Sequence, residues 1–383
     1  MNKTHALRIF WAITFSTCGY GVNNSVAADN KCLEATTEIN KGVQLGDGSP
    51  AEEIFYRKAI ELCPRLAEAH FNLGLNLGRQ GRYSDAVAAI KKAKSERKEP
   101  QFGVALGNLL LASGDSAGAE REYKLVLTDA PDSVEAHQGL GAVYERTGKL
   151  DQAEDSLRTA MQLNSNDPLS YYNLALVLER QKKRDEAITS LETALAKKSD
   201  FVEAYGALGR LYVDAGKYDK AEQTLLKATF LGPKDVGAWL SLGALYERQQ
   251  RYEQAKDAFE KVLSLQPNNI TALTNLAIAA AEAGKFDEAK QKLELARGAA
   301  PDSARVRAVY GWLYLKQRNL KDAEEHLLAS AKLDENSAQV SNNLGVLYEL
   351  KGDSAKAKEE FSKAQRLDPS LEQAKQNLER LKD

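Results

Sequence analysis

The sequence predicts an all-α solenoid, a file of helix-turn-helix hairpins stacked on one another. Three observations carry this. First, a small residue recurs at Gly74, Gly107, Gly141, Ala175, Gly209, Gly243, Ala277, Gly311 and Gly345, spaced by 33 residues once and by 34 thereafter. Second, an alanine follows each of them by twelve residues without exception, from Ala86 and Ala119 to Ala323 and Ala357. Third, a bulky side chain stands four residues beyond each alanine, as in Ile90, Tyr123, Leu157, Phe259 and Phe361. A single hairpin cannot bury its apolar face, so the units must stack to be stable.

Residues 1–28 read as a leader. Lys3 and Arg8 open it, an apolar stretch from Ile9 to Phe15 follows, and Val26-Ala27-Ala28 precedes Asp29. That order is the mark of a secretory signal peptide cut after Ala28, which places the mature chain in the periplasm. The apolar run is too short for the roughly 20 residues of a membrane span. Cleavage before Cys18 is the alternative and would leave a membrane-attached lipoprotein, although Phe15-Ser16-Thr17 matches the required small-residue box poorly. Loss of Lys3 and Arg8 takes the net charge from −2 to −4.

Residues 29–66 read as a degenerate cap. Its first helix is expected over about Leu33 to Leu45, a loop at Gly46-Asp47-Gly48-Ser49-Pro50 follows, and the second helix runs from Ala51 toward Pro64. Cys32 precedes the first helix and Cys63 follows the second. Antiparallel pairing brings them within the roughly 4.4–6.8 Å between Cα atoms that a disulfide spans, and the exported context favours the bond. The alternative is two small buried hydrophobes.

Nine complete units follow over 67–371. In the unit from Val202 to Lys234, Tyr205, Leu208 and Tyr212 make one helical face, Gly216 ends that helix, and Pro233 ends the second. Gly209 and Ala221 carry almost no side chain, so the two backbones approach and Leu208 and Leu225 fill the space around them. Turn glycines recur at Gly81, Gly114, Gly148, Gly284 and Gly352, but Lys182, Gln250 and Arg318 replace them in three units. Residues 372–383 form a last helix with Ala374, Leu378 and Leu381 on one face and charged groups on the other, a solvating end.

The series Trp239-Leu242-Gly243-Tyr246-Ala255-Phe259-Pro267 resembles the tetratricopeptide repeat family, and the resemblance covers nearly all of the mature chain. It implies a right-handed superhelix whose first helices line a concave wall. His70 and His137 stand where Trp239 stands and are expected as packing substitutes. Ala280 replaces the tyrosine seen at Tyr246.

In the family, ligands are held on the inner face of the first helices. Carried over position by position, that face offers Phe71, Leu75, Val104, Asn108, Gln138, Tyr172, Leu176, Arg210, Leu240, Ile278, Trp312, Asn342 and Val346. Glu145, Glu179, Glu247 and Glu349 lie further along it. The resemblance thus implies a protein or extended-peptide partner in the groove of an envelope scaffold. The paired lysines of a carboxylate clamp are missing from the first units. An asparagine ladder through Asn72, Asn173, Asn275 and Asn343 is interrupted by Ala105, Gly139, Ala207, Ser241 and Val309. The other readings are a glycan-export accessory protein that stacks sugars on Tyr172 and Trp312, and a docking subunit of an enzyme encoded elsewhere.

Several classes are excluded or disfavoured. With 52 Lys and Arg against 54 Asp and Glu, the chain lacks the basic excess of a nucleic-acid binder. Four scattered histidines and three cysteines without a CxxC argue against a metal site. No nucleophile elbow, phosphate loop or HExxH occurs, so no catalysis and no cofactor are expected. Pairing of two chains through inner or terminal helices stays open.

Overall fold

The computed structural model describes residues 26–381, and every regular element among them is an α-helix. The first hairpin is α1 (Val26–Leu45) with α2 (Pro50–Leu62). Four more follow: α3 (Ala67–Arg79) with α4 (Tyr83–Glu96), α5 (Pro100–Ser113) with α6 (Ser116–Asp129), α7 (Val134–Arg146) with α8 (Leu150–Leu163), and α9 (Pro168–Arg180) with α10 (Arg184–Lys197). Then come α11 (Val202–Asp214), α12 (Tyr218–Leu231), α13 (Val236–Arg248), α14 (Tyr252–Leu265), α15 (Ile270–Glu282) and α16 (Phe286–Ala299). The series closes with α17 (Ala304–Lys316), α18 (Leu320–Leu333), α19 (Ala338–Leu350), α20 (Ser354–Leu367) and α21 (Glu372–Arg380). The chain divides inside α11 into two compact units, one ending at Ala204 and one beginning at Tyr205.

Within each hairpin the small residue sits under the bulky one. A Cβ added to Gly141 would lie 2.7 Å from Leu157 Cγ, and one added to Gly243 would lie 2.5 Å from Phe259 Cε1. These are distances at which nothing but hydrogen fits. The alanines twelve residues on, Ala86 through Ala357, are fully buried. Proline ends the second helices as its missing N–H requires: Pro131, Pro233, Pro267, Pro301 and Pro369 each stand just past the residue that closes the helix. Where lysine, glutamine or arginine replaces the turn glycine the backbone does not change course. Lys182, Gln250 and Arg318 take φ of 64°, 59° and 60°, the left-handed region glycine occupies elsewhere.

Odd-numbered helices also touch the next odd-numbered helix, as α5 does α7, α7 does α9, α15 does α17 and α17 does α19, whereas even-numbered helices touch mainly their odd neighbours. The odd helices therefore line the inner side of the stack within each unit. Their ends are tied together. Arg180 of α9 donates to the Glu145 carbonyl and carboxylate at the end of α7, and Arg146 donates to the Leu111 carbonyl in α5. The Glu-Arg pairs that the sequence presents as solvated helix ends thus serve as links between repeats in the first unit.

The cap differs from expectation at its start. Its first helix begins at Val26, seven residues before Leu33, and runs through Ala28; residues 26–32 contain neither glycine nor proline to stop it. Residues 1–25 of the expected leader, with the alternative lipid site at Cys18, lie outside the described residues. Cys32 and Cys63 form a disulfide, with Cα atoms 5.0 Å apart. The Tyr56 ring covers Gly42, and its hydroxyl donates to buried Glu52 at 2.8 Å. Glu52 also accepts from the Gly48 N–H at 2.7 Å and from Arg79 at 3.3 Å, which knots the loop to the first complete repeat.

Candidate partner-binding walls

In the first unit most of the inner positions are filled from within. Phe71 is buried with its ring 4.9 Å from that of Phe102, and Tyr172 is buried with its ring 5.0 Å from that of Phe201. Gln138 is buried too, its amide donating to Asp167 at 2.6 Å and to Ser170 at 2.9 Å on α9. The Asn108 carbonyl accepts the Tyr123 hydroxyl at 2.6 Å, and Val104 is buried. Phe71, Gln138 and Tyr172 are therefore packing residues of the stack and not parts of an open surface. Leu75 and Leu176 remain half-buried. Leu75 also lines a cavity of about 120 Å³ under the cap with Val43, Tyr56, Asn72 and Arg79, large enough for a few waters and no more.

The second unit keeps its inner wall accessible. Arg210, Leu240, Ile278, Trp312 and Val346 are half-buried. Asn342 is the exception: it is buried and accepts from Asn377 of α21 at 3.0 Å, so it belongs to the contact with the closing helix. Lys316 lies 5.3 Å from the centroid of the Trp312 ring and pairs with Glu282 at 2.9 Å.

Two charged groups complete this wall. Arg305, the second residue of α17, reaches back over α15; its Nε donates to Thr274 Oγ1 at 2.8 Å and its Nη2 to Asn275 Oδ1. Glu247 on α13 faces it. Burial pushes the Glu247 carboxyl up to about 7, against the opposing pull of the Arg305 charge. Burial likewise pushes the Arg305 guanidinium down, with Glu247 acting against that shift. Arg305 was not among the positions read from the sequence. The signal was there: it lies seven residues before Trp312, two turns back on the same face of one helix.

The histidines at the tryptophan position prove more specific than simple space-fillers. Trp239 Nε1 donates to the Pro233 carbonyl at 3.1 Å; His70 Nε2 meets the Pro64 carbonyl at 2.8 Å and His137 Nε2 meets the Pro131 carbonyl at 3.1 Å. A ring N–H six residues after a proline carbonyl is the shared requirement, and imidazole meets it as indole does. Among the described residues no three His, Cys, Asp or Glu side chains converge as a metal site would need.

Models of the tetratricopeptide repeat match residues 110–176, 178–246, 247–313 and 280–347, and a second model of the same repeat matches 67–99 and 338–371. The chain belongs to the tetratricopeptide repeat family. Repeats of this family serve in general as non-catalytic protein-binding scaffolds. A human protein O-mannosyl-transferase, TMTC1, is 28% identical over 125 residues, 32% of this chain and 14% of that protein. Tetratricopeptide repeat protein 8 of Caenorhabditis elegans is 24% identical over 129 residues, 33% of this chain and 26% of that one. This chain spans about a quarter or less of the length of both relatives. Among solved structures, a tetratricopeptide repeat protein from Parabacteroides merdae is 23% identical, covers 66% of this chain and 99% of its own, and superposes with a TM-score of 0.59. Yeast Tom70 is 17% identical, covers 92% of this chain and 88% of its own, with a TM-score of 0.50. At these identities the likeness is one of fold.

Proposed function

We propose that this tetratricopeptide repeat chain is a non-enzymatic scaffold of the bacterial cell envelope, exported by a leader cut after Ala28, which holds an extended segment of a partner protein against its inner helices. The observation that carries this is the row of half-buried Leu240, Ile278 and Trp312 on α13, α15 and α17, at the positions where the family resemblance places ligand contacts. A wall built on packed helices is already in shape before the partner arrives, so binding orders little of the scaffold. The glycan reading rests on two stacking platforms. With Tyr172 packed against Phe201 it keeps only Trp312 and is the weaker reading.

The test is in-cell cross-linking and affinity purification from the envelope fraction, comparing wild type with Leu176→Asp plus Trp312→Ala, both first shown equally helical and equally exported. One partner held by wild type and lost from the variant is the expected result. Equal capture by both would move binding to the outer helices or the ends. The amino-terminal sequence of the purified protein checks the export step: it should begin at Asp29, and a lipid-modified Cys18 would replace the soluble periplasmic reading with a membrane-attached one.

A further inference from the structure

We infer that the inner wall of the second unit carries a carboxylate-binding site built on Arg305, which takes an acidic side chain or a free C-terminus of the bound segment. This rests on the inner-wall reading above and names the chemistry of that wall. Arg305 is oriented without being neutralised. Its two hydrogen bonds go to a hydroxyl and an amide carbonyl, which use two of the five guanidinium N–H groups and add no negative charge. Thr274 is itself held: fully buried, it donates to the Ile270 carbonyl at 2.8 Å and so presents a lone pair to Arg305.

Other cations on the odd helices of this unit meet carboxylates instead. Lys316 pairs with Glu282 at 2.9 Å, Arg380 with Glu349 at 2.6 Å, and Arg248 with Asp214 at 3.6 Å. Glu247 acts on Arg305 through its charge, with no hydrogen bond between them. Arg305 is also exposed as a residue while its charge is poorly hydrated. Those two properties coexist in a concavity, where an occupant reaches the group but bulk water does not surround it. A carboxylate there forms charge-assisted bonds that water competes with weakly. Ile278, one turn on from Thr274, and Trp312, two turns on from Arg305, supply apolar contact beside it. The charge of Glu247 weighs against a dianion, so a carboxylate fits better than a phosphate.

The experiment uses the full mature chain and arrayed synthetic peptides of varied apolar sequence in three matched sets: an internal Glu with an amidated end, the same peptides with Gln, and the Gln peptides with a free terminal carboxylate. Binders should come from the first or third set, and which of them dominates separates a side-chain from a terminal carboxylate. Arg305→Gln should weaken those binders about ten- to a hundredfold. Glu247→Gln, which removes the competing charge and keeps the shape, should tighten them severalfold. Circular dichroism should be unchanged in both. Binders that depend on Trp312 but are spread evenly over the sets and indifferent to Arg305→Gln would overturn the carboxylate site and leave the inner-wall reading standing. No binders in any set would overturn both.

Discussion

In the first unit the inner positions of α3, α7 and α9 are spent on the neighbouring repeat, whereas in the second the equivalent positions of α13, α15 and α17 stay accessible and flank a charged pair. The backbone is not the cause, since both units put the same small residue under the same bulky one. The cause is what the next repeat supplies. Phe102 reaches Phe71, Phe201 reaches Tyr172, and Ser170 with Asp167 absorbs Gln138. In the second unit Ile278 and Trp312 remain half-buried, and the residue that crosses between repeats there is Arg305, which brings charge to the wall without closing it. A repeat position is therefore a place and not a function; its role is decided one repeat away.

Changes to the shared frame should act on both units, and changes to what is unique should not. The largest local effect belongs to the cap. Cys32→Ala with Cys63→Ala opens a loop of 31 residues and should remove about 3 kcal/mol from the first unit alone. Hydrogen exchange should show faster opening of α1 to α4 with α13 to α20 unaffected; uniform loosening of both units would mean they do not behave separately. Next come the crossings. Gly141→Val in the first unit and Gly243→Val in the second should each cost about 2–3 kcal/mol, because the added carbons meet Leu157 and Phe259 at distances no side chain tolerates. Chemical denaturation should find similar losses for the two, and a marked difference would break the claim of a common frame.

The frame was legible in the sequence because the tightest contacts admit only glycine or alanine, so they leave a mark every 34 residues. The ends of the second helices were legible for a similar reason, since proline cannot continue a helix. The cap was partly legible: its two cysteines fix its closure, but nothing between Val26 and Leu33 stops the first helix. The wall was legible only as positions. Whether Tyr172 is a platform or a packing residue depends on Phe201, 29 residues later, and periodicity within one helix does not encode that pairing. Arg305 was missed because an arginine in the first turn of a helix ordinarily lies in solvent, and only the buried Thr274 draws it inward.

The charged pair gives the second unit a pH response that the first has no counterpart for. The Glu247 carboxyl sits near 4.5 when unfolded and is pushed up to about 7 when folded, with Arg305 the charge that faces it. Between those values the folded chain holds a proton that the unfolded chain has lost. Its contribution to stability is therefore full below about pH 4.5, falls as pH rises to about 7, and is flat beyond. After allowance for water at this half-buried site the fall should be about 1 kcal/mol. Glu247→Gln should flatten the difference curve between wild type and variant over that window, measured by denaturation at a series of pH values. A curve that rises through the window would mean that Arg305 dominates and the carboxyl is held low.

The smallest effect returns to what the units share. Lys182 in the first unit and Gln250 in the second hold φ near +60° at the same turn where Gly148 and Gly284 stand in other repeats. An L side chain there meets its own backbone, and glycine does not. Glycine also gains freedom in the unfolded chain, which offsets part of the relief. The balance should favour Lys182→Gly and Gln250→Gly by about 0.5 kcal/mol each, and Gly148→Ala should lose about 1 kcal/mol by the reverse argument. Because this turn is local, the gain in the two units should be equal within error by thermal denaturation. If Gln250→Gly gained and Lys182→Gly did not, the Lys182 side chain would be making a contact worth as much as the strain, and the turns would differ between the units as their inner walls do.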